Sequence, residues 1–254
     1  MTPKIALITG ANKGIGFETA RQLAALGVTV LVGARDEARG QEAEDSLRKD
    51  GADARFVQLD VTDGESIGRA AAWIEAEYGR LDILVNNAGT STLSRRGASP
   101  SETSLDDMRA VYEVNVFGVV AVTNAMLPLL RRAEAARIVN VSSQVGSISS
   151  QDTGGPLGRM PASAQYPSSK TAVNMLTAMY AKELRDTPIK VNAANPGFTA
   201  TDFNDHRGPR SAAQGAEPSV HLATLPDDGP SGILWGHVQP AEGESDIGYG
   251  TLPW

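Results

Sequence analysis

The chain has 254 residues, of which 41% are hydrophobic and 21% charged, enough for one large core but little for two. Its net charge of -7 argues against a nucleic-acid partner, because phosphate neutralisation needs a broad basic face. The absence of cysteine excludes disulfides, thiolate metal sites and thiol catalysis.

Targeting signals are not evident either. The first four residues lead directly into the apolar run 5–8, and no signal-peptide core follows. No apolar stretch approaches ~18 residues, so we predict no membrane span and a cytoplasmic location. The basic pairs Arg95-Arg96 and Arg131-Arg132 are best explained as solvated charges.

Short apolar runs alternate with segments of helical period. Strands are predicted at 4–9, 28–33, 54–58, 82–85, 137–141, 189–193 and 232–236. Helices are predicted at 15–26, 36–49, 66–78, about 105–133, about 163–185 and around 216–224. Pro128 is expected to bend or shorten the fourth helix. Continuously apolar strands are buried on both faces, so the prediction is an α/β fold. Its single Rossmann-type, doubly wound parallel sheet is flanked by helices on both faces.

The turn after the first strand is rich in glycine and opens the first helix. Glycines allow a tight turn and let backbone N–H groups approach a phosphate, which the helix N-terminus also attracts. A strand before and a helix after the turn are the context that a dinucleotide fingerprint requires. Six residues are therefore predicted to bind the cofactor: Gly10, Asn12, Lys13, Gly14, Ile15 and Gly16.

The residue after the second strand bears on cofactor choice. Folds that prefer NAD place an acid there for the ribose 2′-hydroxyl, whereas this chain has Arg35 after Ala34. Arg35 and Lys13 together would bind a 2′-phosphate, so NADPH/NADP+ is the predicted cofactor. Alternatively, both are exposed charges at element ends, and a shift of one residue would put Asp36 in this place.

Tyr166 and Lys170 lie four residues apart at the start of a predicted helix, on one helical face. The ammonium is expected to favour the phenolate and lower the tyrosine pKa from about 10. Such a pair is common by chance, so its functional significance depends on the other motifs that accompany it. Ser143, which ends the fifth strand, is a third candidate site residue, with Ser142 as the alternative. Asn115, in the long helix, is a fourth; alternatively, it only caps or kinks that helix.

These motifs together resemble the short-chain dehydrogenase/reductase family: T-G-x-x-x-G-x-G at 9–16, N-N-A-G at 86–89 and Y-x-x-x-K at 166–170. The resemblance implies a catalytic set of Asn115, Ser143, Tyr166 and Lys170. In it the serine steadies a substrate carbonyl, the tyrosine transfers a proton, the lysine also contacts ribose, and the asparagine holds a relay water.

The same resemblance implies further cofactor contacts. Asp60 and Val61 would contact the adenine, and Asn87, Ala88 and Gly89 would line the cofactor. Tyr166 and Lys170 are cofactor contacts as well as catalytic residues. The loop after the sixth strand would close over the nicotinamide and pyrophosphate through four residues: Pro196, Gly197, Thr199 and Thr201.

A closer likeness is to carbonyl reductases that act on ketones and quinones, because their second turn resembles Ala34-Arg35-Asp36 and Arg39-Gly40-Gln41. The interval from Ser143 to Tyr166 is longer than usual in the family, yet shorter than the insertion of those reductases. The implied activity is NADPH-dependent reduction of a ketone, aldehyde or quinone to an alcohol. Alternatives are a non-catalytic NADP(H)-sensing regulator and a dehydrogenase that mainly oxidises alcohols.

Residues 1–254 are predicted to form one dinucleotide-binding catalytic domain. Residues 144–165 and 199–225 are expected to border a small carbonyl substrate, together with residues near 90–96. The three histidines, His206, His221 and His237, are widely spaced and show no ligand pattern, so no metal is predicted. The sequence leaves the choice open between a monomer and a homodimer or homotetramer.

Overall fold

The structure is a computed structural model that describes residues 3–91, 99–151, 157–158, 160–238 and 248–254. Their eight strands form one sheet in the order β3-β2-β1-β4-β5-β6-β7-β8. Neighbouring strands are parallel except β7 and β8, which are antiparallel. The strands are β1 Ile5–Thr9, β2 Thr29–Ala34, β3 Ala54–Gln58, β4 Ile83–Asn86, β5 Arg137–Val141, β6 Lys190–Asn195, β7 Leu234–His237 and β8 Tyr249–Leu252.

Helices cover both faces of this sheet. They are α1 Gly14–Ala25, α2 Glu37–Lys49, α3 Gly64–Tyr78, α4 Leu105–Tyr112, α5 Gly118–Leu130, α6 Gln165–Glu183 and α7 Ala212–Ala223. A π-helical segment, Glu113–Phe117, joins α4 to α5. The α/β class and the doubly wound sheet predicted from the sequence are confirmed.

Side chains alternate between two cores because successive strand residues point to opposite faces. Leu7 packs on one face with α3, α5 and α6, in a core that includes Met126. Its neighbours Ala6 and Ile8 pack on the other face with α1, α2 and α7, in a core that includes Leu23. Strands buried on both faces explain the unbroken apolar runs of the sequence.

Several boundaries differ from the prediction by one or two residues, and two features were not predicted. The long helix predicted at about 105–133 is interrupted by the π-helical segment, and Pro128 lies in the last turn of α5. Strand β8 was missed because its four residues, Tyr249–Leu252, carry no long apolar run. The pair Arg95-Arg96 and parts of the 144–165 stretch lie outside the described residues.

The helical stretch Leu105–Leu130 corrects the prediction about apolar stretches. Among the described residues it is the one helical run long and apolar enough to cross a membrane, with a mean hydropathy of 1.5 over its most apolar 18 residues. Half of that stretch is buried inside the protein. Val122, Met126 and Leu130 pack in the core, which accounts for the apolar composition.

The strand order reverses between β1 and β4, which places a crevice at the carboxyl ends of these strands. The turns after β1 and β4 border this crevice, and the turns after β5 and β6 continue it along the same edge of the sheet. In open α/β sheets ligands bind at this position, so the fold brings the predicted site residues to one edge.

Candidate active site

The glycine-rich turn after β1 depends on having no side chains. Gly10 and Gly14 have φ values of 64° and 58°, in the left-handed region that favours glycine. A Cβ on Gly16 would lie 2.4 Å from Asn87 Nδ2 and 2.5 Å from the Gly10 carbonyl oxygen. Any side chain at position 16 would therefore displace the turn.

The N-terminus of α1 suits an anionic ligand. Helices α2, α3, α4 and α7 begin with a side chain that accepts a hydrogen bond from the first turn, whereas Lys13 at the start of α1 forms no such cap. Uncapped N–H groups at a helix N-terminus attract phosphate. A Cβ on Gly14 would lie 3.5 Å from Thr201 Cγ2, so the loop after β6 borders this cradle. The turn thus fits the pyrophosphate of a dinucleotide.

The turn after β4 is tied to the turn after β1. The Thr9 hydroxyl accepts hydrogen bonds from the backbone N–H groups of Asn87 and Ala88, at 3.0 and 2.9 Å. The Asn87 amide donates to the Thr9 carbonyl oxygen at 2.8 Å. Asn86 donates to Asn140 Oδ1 on β5 at 2.8 Å, inside the sheet. The two turns consequently form one rigid unit.

Asp60 and Val61 lie just after β3, at the end of the site predicted to hold adenine. The Asp60 carboxylate accepts hydrogen bonds from the backbone and the hydroxyl of Thr62, so it stabilises its own turn. Val61 packs against Gly118, where a Cβ would lie 3.0 Å from the valine. Their contact with adenine stays a prediction.

The charges around α2 bear on whether a cation or Asp36 is available to the ribose end of the cofactor, which the sequence left open. The Asp36 carboxylate accepts a hydrogen bond from the Arg39 backbone at 3.0 Å and caps α2, so it is occupied. Arg35 is exposed at the end of β2. A neighbouring cleft of about 470 Å³ has eight lining residues: Asn12, Lys13, Phe17, Arg39, Glu42, Ala43, Ser46 and Asp202. Arg39 shares this cleft with Lys13. The sequence signal that could have identified Arg39 is its position in the first turn of the predicted helix, three residues after the capping Asp36.

Lys13 has a partner across the crevice. Its ammonium lies 2.7 Å from the Asp202 carboxylate, and both side chains are more than half exposed. The hydrogen bond and the charge of Lys13 lower the pKa of Asp202. His206 Nε2 lies 2.9 Å from the second carboxylate oxygen. An ion pair therefore connects the glycine turn with the loop after β6.

Ser143 and Tyr166 are brought together at the end of β5. The Ser143 side chain interacts with Tyr166 and lowers the pKa of the phenol, and its hydroxyl accepts a hydrogen bond from the Val145 backbone at 3.3 Å. The Ser142 hydroxyl instead donates to Asn174 Oδ1 at 2.5 Å and is buried. The structure thus places Ser143, rather than Ser142, beside the tyrosine.

The predicted lowering of the Tyr166 pKa by Lys170 is wrong. Burial raises the pKa of Tyr166 to about 12, although the hydrogen bond from Ser143 acts in the opposite direction. Lys170 Nζ lies 5.6 Å from the tyrosine ring centroid and donates to the Val141 carbonyl oxygen at 2.7 Å. Burial lowers the pKa of Lys170 to about 8. For Tyr166, desolvation outweighs the effect of Ser143, so the phenol is protonated at neutral pH.

Asn115 is positioned by the π-helical segment between α4 and α5. Its amide donates to the Thr90 carbonyl oxygen at 2.9 Å and to Ser169 Oγ at 3.0 Å. A Cβ on Gly89 would lie 3.5 Å from Asn115 Oδ1 and 3.8 Å from Lys170 Nζ. Asn115 and Lys170 therefore flank Gly89, and a π bulge at such a place is frequent in functional sites. The relay water stays a prediction.

The loop after β6 lines the remaining side of the site. Thr199 is buried, and its hydroxyl donates to the Pro196 and Gly197 carbonyl oxygens at 3.4 and 3.3 Å. Four residues further on, the Phe203 ring lies 5.4 Å from the Tyr166 ring, centroid to centroid. No sequence pattern singled out Phe203, because its importance depends on how this loop folds back.

The histidines are placed apart. His206 contacts Asp202, whereas His221 stacks on Trp235 with ring centroids 4.0 Å apart. Within the part of the chain that the structure describes, no group of three or more His, Asp or Glu side chains is arranged to hold a metal ion.

The reversed strand order, the uncapped glycine turn and the cluster around Tyr166 define a dinucleotide-dependent α/β oxidoreductase. The chain belongs to the short chain dehydrogenase family, whose sequence profile matches residues 4–211. It is 40% identical to short-chain dehydrogenase anuI of Penicillium roqueforti (strain FM164), over 88% of this chain and 90% of that protein.

Solved structures agree with this assignment. Salutaridine reductase from Papaver somniferum superimposes with a TM-score of 0.79 at 30% identity, over 91% of this chain and 99% of that one. NADPH-bound carbonyl reductase from chicken fatty liver gives a TM-score of 0.79 at 29% identity, over 92% and 96% of the two chains.

Proposed function

We propose that this protein is an NADPH-dependent reductase that converts an apolar ketone, aldehyde or quinone to an alcohol. The observation that carries the proposal is the cluster of Ser143, Tyr166 and Lys170 after β5, in which Lys170 Nζ lies 5.6 Å from the centroid of the tyrosine ring. This cluster lies at the same sheet edge as the uncapped glycine turn, so one extended dinucleotide can reach both.

Each residue of the cluster has a separate task. When bound, NADPH supplies the hydride that reduces the carbonyl carbon. Tyr166 donates a proton to the carbonyl oxygen, and its pKa of about 12 keeps that proton in place until it is needed. Ser143 donates a hydrogen bond to the same oxygen and stabilises the developing negative charge. Lys170, whose pKa is lowered to about 8, returns a proton to the tyrosine, and Asn115, on the other side of Gly89, holds the water that relays it.

The preference for NADPH is supported by the charges near the cleft on α2. Lys13, in its ion pair with Asp202, and Arg39 line this cleft, and Arg35 is exposed just before α2, so we expect these cations to contact a 2′-phosphate. Asp36, the acid closest to the position that binds a ribose hydroxyl in NAD enzymes, is engaged in capping α2. The NADPH-bound carbonyl reductase among the similar structures agrees with this choice.

The substrate class is inferred from the surroundings of Tyr166. Phe203 borders the tyrosine with its ring and stays partly exposed, which offers a flat apolar surface next to the reacting hydroxyl. Ile148, on the loop that follows Ser143, is 70% exposed. The similarity to a protein named salutaridine reductase also favours the reducing direction.

A panel of carbonyl compounds tests the proposal. Cyclic ketones, aromatic aldehydes and quinones are mixed with the purified protein and NADPH or NADH, and the loss of reduced cofactor is followed by absorbance. We expect turnover with NADPH that exceeds turnover with NADH. Tight NADPH binding without turnover of any substrate would favour a sensing role, and activity confined to alcohols with NAD+ would favour an oxidising dehydrogenase.

A further inference from the structure

Arg210 is a buried cation behind the segment that follows β6. Its side chain is 7% exposed, and its Nε donates to the Pro196 carbonyl oxygen at 3.0 Å. Its Nη2 donates to the Gln214 carbonyl oxygen at 2.8 Å and to the Tyr249 hydroxyl at 2.5 Å. All three acceptors are neutral, and burying a charge among neutral acceptors costs folding free energy instead of adding to stability. This arrangement indicates a role in positioning.

The segment after β6 is held by Arg210 through both backbone and side chain. The Ala200 backbone N–H donates to the Arg210 carbonyl oxygen at 2.8 Å, and the Arg210 N–H donates to the Phe198 carbonyl oxygen at 3.4 Å. These bonds bracket Thr199, which forms an isolated parallel bridge with Arg210. A Cβ on Gly197 would lie 2.9 Å from Arg210 Cδ, so the segment rests directly on this side chain.

The same segment spans the site from end to end. Thr201 borders Gly14 in the glycine turn, and Phe203 contacts Tyr166. A dinucleotide that extends from the glycine turn to the tyrosine therefore lies along residues 196–203. The Pro196 end lies beside the catalytic serine, because the backbone N–H of Gln144, which follows Ser143, donates to Asn195 Oδ1 at 3.0 Å. Since Arg210 holds this end of the wall, we expect it to affect the part of the ligand near Tyr166 more than the part near α1.

Tyr249, on the outermost strand β8, holds Arg210 in turn. Its ring lies under the guanidinium, 5.3 Å from Cζ to the ring centroid, and stacks on Trp235 at 5.5 Å. Its hydroxyl donates to the Glu217 carboxylate in a short hydrogen bond while it accepts from Arg210. The negative charge of Glu217 thus reaches the guanidinium through one hydroxyl.

We propose that Arg210 is a positioning residue for the nicotinamide end of the cofactor, and that Tyr249 fixes Arg210 for this task. The inference rests on the proposed function, in that it takes NADPH as the ligand of the crevice. It predicts that loss of Arg210 affects the two ends of the cofactor differently.

Two ligands separate the two ends. NADPH contains both, whereas adenosine 2′,5′-bisphosphate has the adenosine and its 2′-phosphate but no nicotinamide. For Arg210→Met we expect the NADPH Kd, measured by titration calorimetry, to rise about tenfold, the cost of one charge-assisted hydrogen bond. The Kd of adenosine 2′,5′-bisphosphate should stay within about twofold, and kcat should fall together with the NADPH affinity.

Conservative variants separate positioning from simple loss of folding. Arg210→Lys can still donate to the Pro196 carbonyl oxygen, so part of the NADPH affinity should return. Tyr249→Phe keeps the ring but removes the hydroxyl, and should raise the NADPH Kd by about two- to fivefold, the typical cost of one hydrogen bond. Arg207→Met is the matched control, because Arg207 lies on the same segment but is 59% exposed and bonds Asn204.

The outcomes are distinct. A wild-type protein that binds neither ligand overturns the proposed function and this inference with it. If the wild type binds both, equal losses for the two ligands in Arg210→Met, or no loss for either, overturn the inference alone. Where Arg210→Met shows no cooperative thermal unfolding, Arg210→Lys and Tyr249→Phe decide, and an unchanged ratio of the two dissociation constants in both rejects the proposal.

Discussion

The turn after β1 and the segment after β6 border the same crevice, but different contacts hold them. The first is fixed by the close approach of its glycines to the turn after β4, where the Asn87 side-chain amide donates to the carbonyl oxygens of Thr9 and Gly10 at 2.8 and 3.1 Å. The second is fixed chiefly by the buried side chain of Arg210, which Tyr249 on β8 holds in turn. The first should tolerate no added atom, whereas the second should be sensitive to the loss of the one side chain on which it rests.

The largest expected effect leaves both regions intact. Tyr166→Phe removes the proton donor but keeps the ring that contacts Phe203. We expect kcat to fall by ~10²–10⁴ or more, the usual consequence of losing a general acid. The NADPH Kd should stay close to wild type in fluorescence titrations. Turnover like that of the wild type would reject Tyr166 as the acid.

The turn after β1 is tested by a single methyl group. Gly16→Ala places a Cβ 2.4 Å from Asn87 Nδ2, so the turn must shift, at a typical cost of about 1–3 kcal/mol. We expect a lower free energy of unfolding and at least tenfold weaker NADPH binding, since the shifted turn loses its approach to phosphate.

The matched control for that variant is Gly68→Ala on α3, where a Cβ would meet no atom within 4 Å. Alanine in an exposed helix interior should raise the free energy of unfolding by roughly 0.5–1 kcal/mol. Unchanged NADPH binding in Gly16→Ala would show that the turn is more adaptable than its contacts indicate.

Lys170 lies on α6 against the turns after β4 and β5, and because it is buried we expect its replacement to raise stability while it abolishes activity. Its pKa is lowered from 10.5 to about 8, so the folded protein binds this proton less tightly than the unfolded chain does. The buried charge therefore costs stability in full below about pH 8, and the cost fades as the pH rises toward 10.5.

Lys170→Met should accordingly be more stable than the wild type at neutral pH, by on the order of 1–2 kcal/mol after allowance for the lost hydrogen bond to Val141. The gain should shrink as the pH approaches 10.5, and turnover should be lost throughout. Chemical unfolding at several pH values checks this. A variant less stable than the wild type at neutral pH would mean that Lys170 is well solvated or paired.

The difference between the two regions also explains what the sequence could predict. Glycine turns, strand runs and the Tyr166–Lys170 spacing are local patterns, and they led to the correct sheet and to a cluster that the structure brings together. Strand β8, Phe203 and the role of Arg210 depend on contacts between residues far apart, for which one sequence carries no signal. The pKa of Tyr166 was predicted with the wrong sign because the spacing shows the ammonium but not the desolvation of both groups.

Cofactor preference is the next effect in size. Arg39 lines the cleft on α2 with Lys13, whereas Arg35 is exposed beside it. Arg39→Ala should raise the NADPH KM by about tenfold, the worth of one charge-assisted contact to a phosphate, and Arg35→Ala by less. The NADH KM should not change in either variant, because NADH lacks the 2′-phosphate. Equal increases for both cofactors would place these cations outside the 2′-phosphate site.

The smallest effect concerns the ion pair that bridges the two regions. Lys13 and Asp202 lie 2.7 Å apart but are more than half exposed, so Asp202→Asn should change the free energy of unfolding by less than about 0.5 kcal/mol. NADPH should bind about twofold more tightly, because Lys13 no longer has to leave a carboxylate and one repulsive charge is gone. This gain should disappear in high salt, which screens exposed charges.

Asp186→Asn, at a side chain that is 93% exposed, is the control for net charge. A loss of NADPH affinity in Asp202→Asn would mean instead that the carboxylate holds the segment after β6 in its binding conformation.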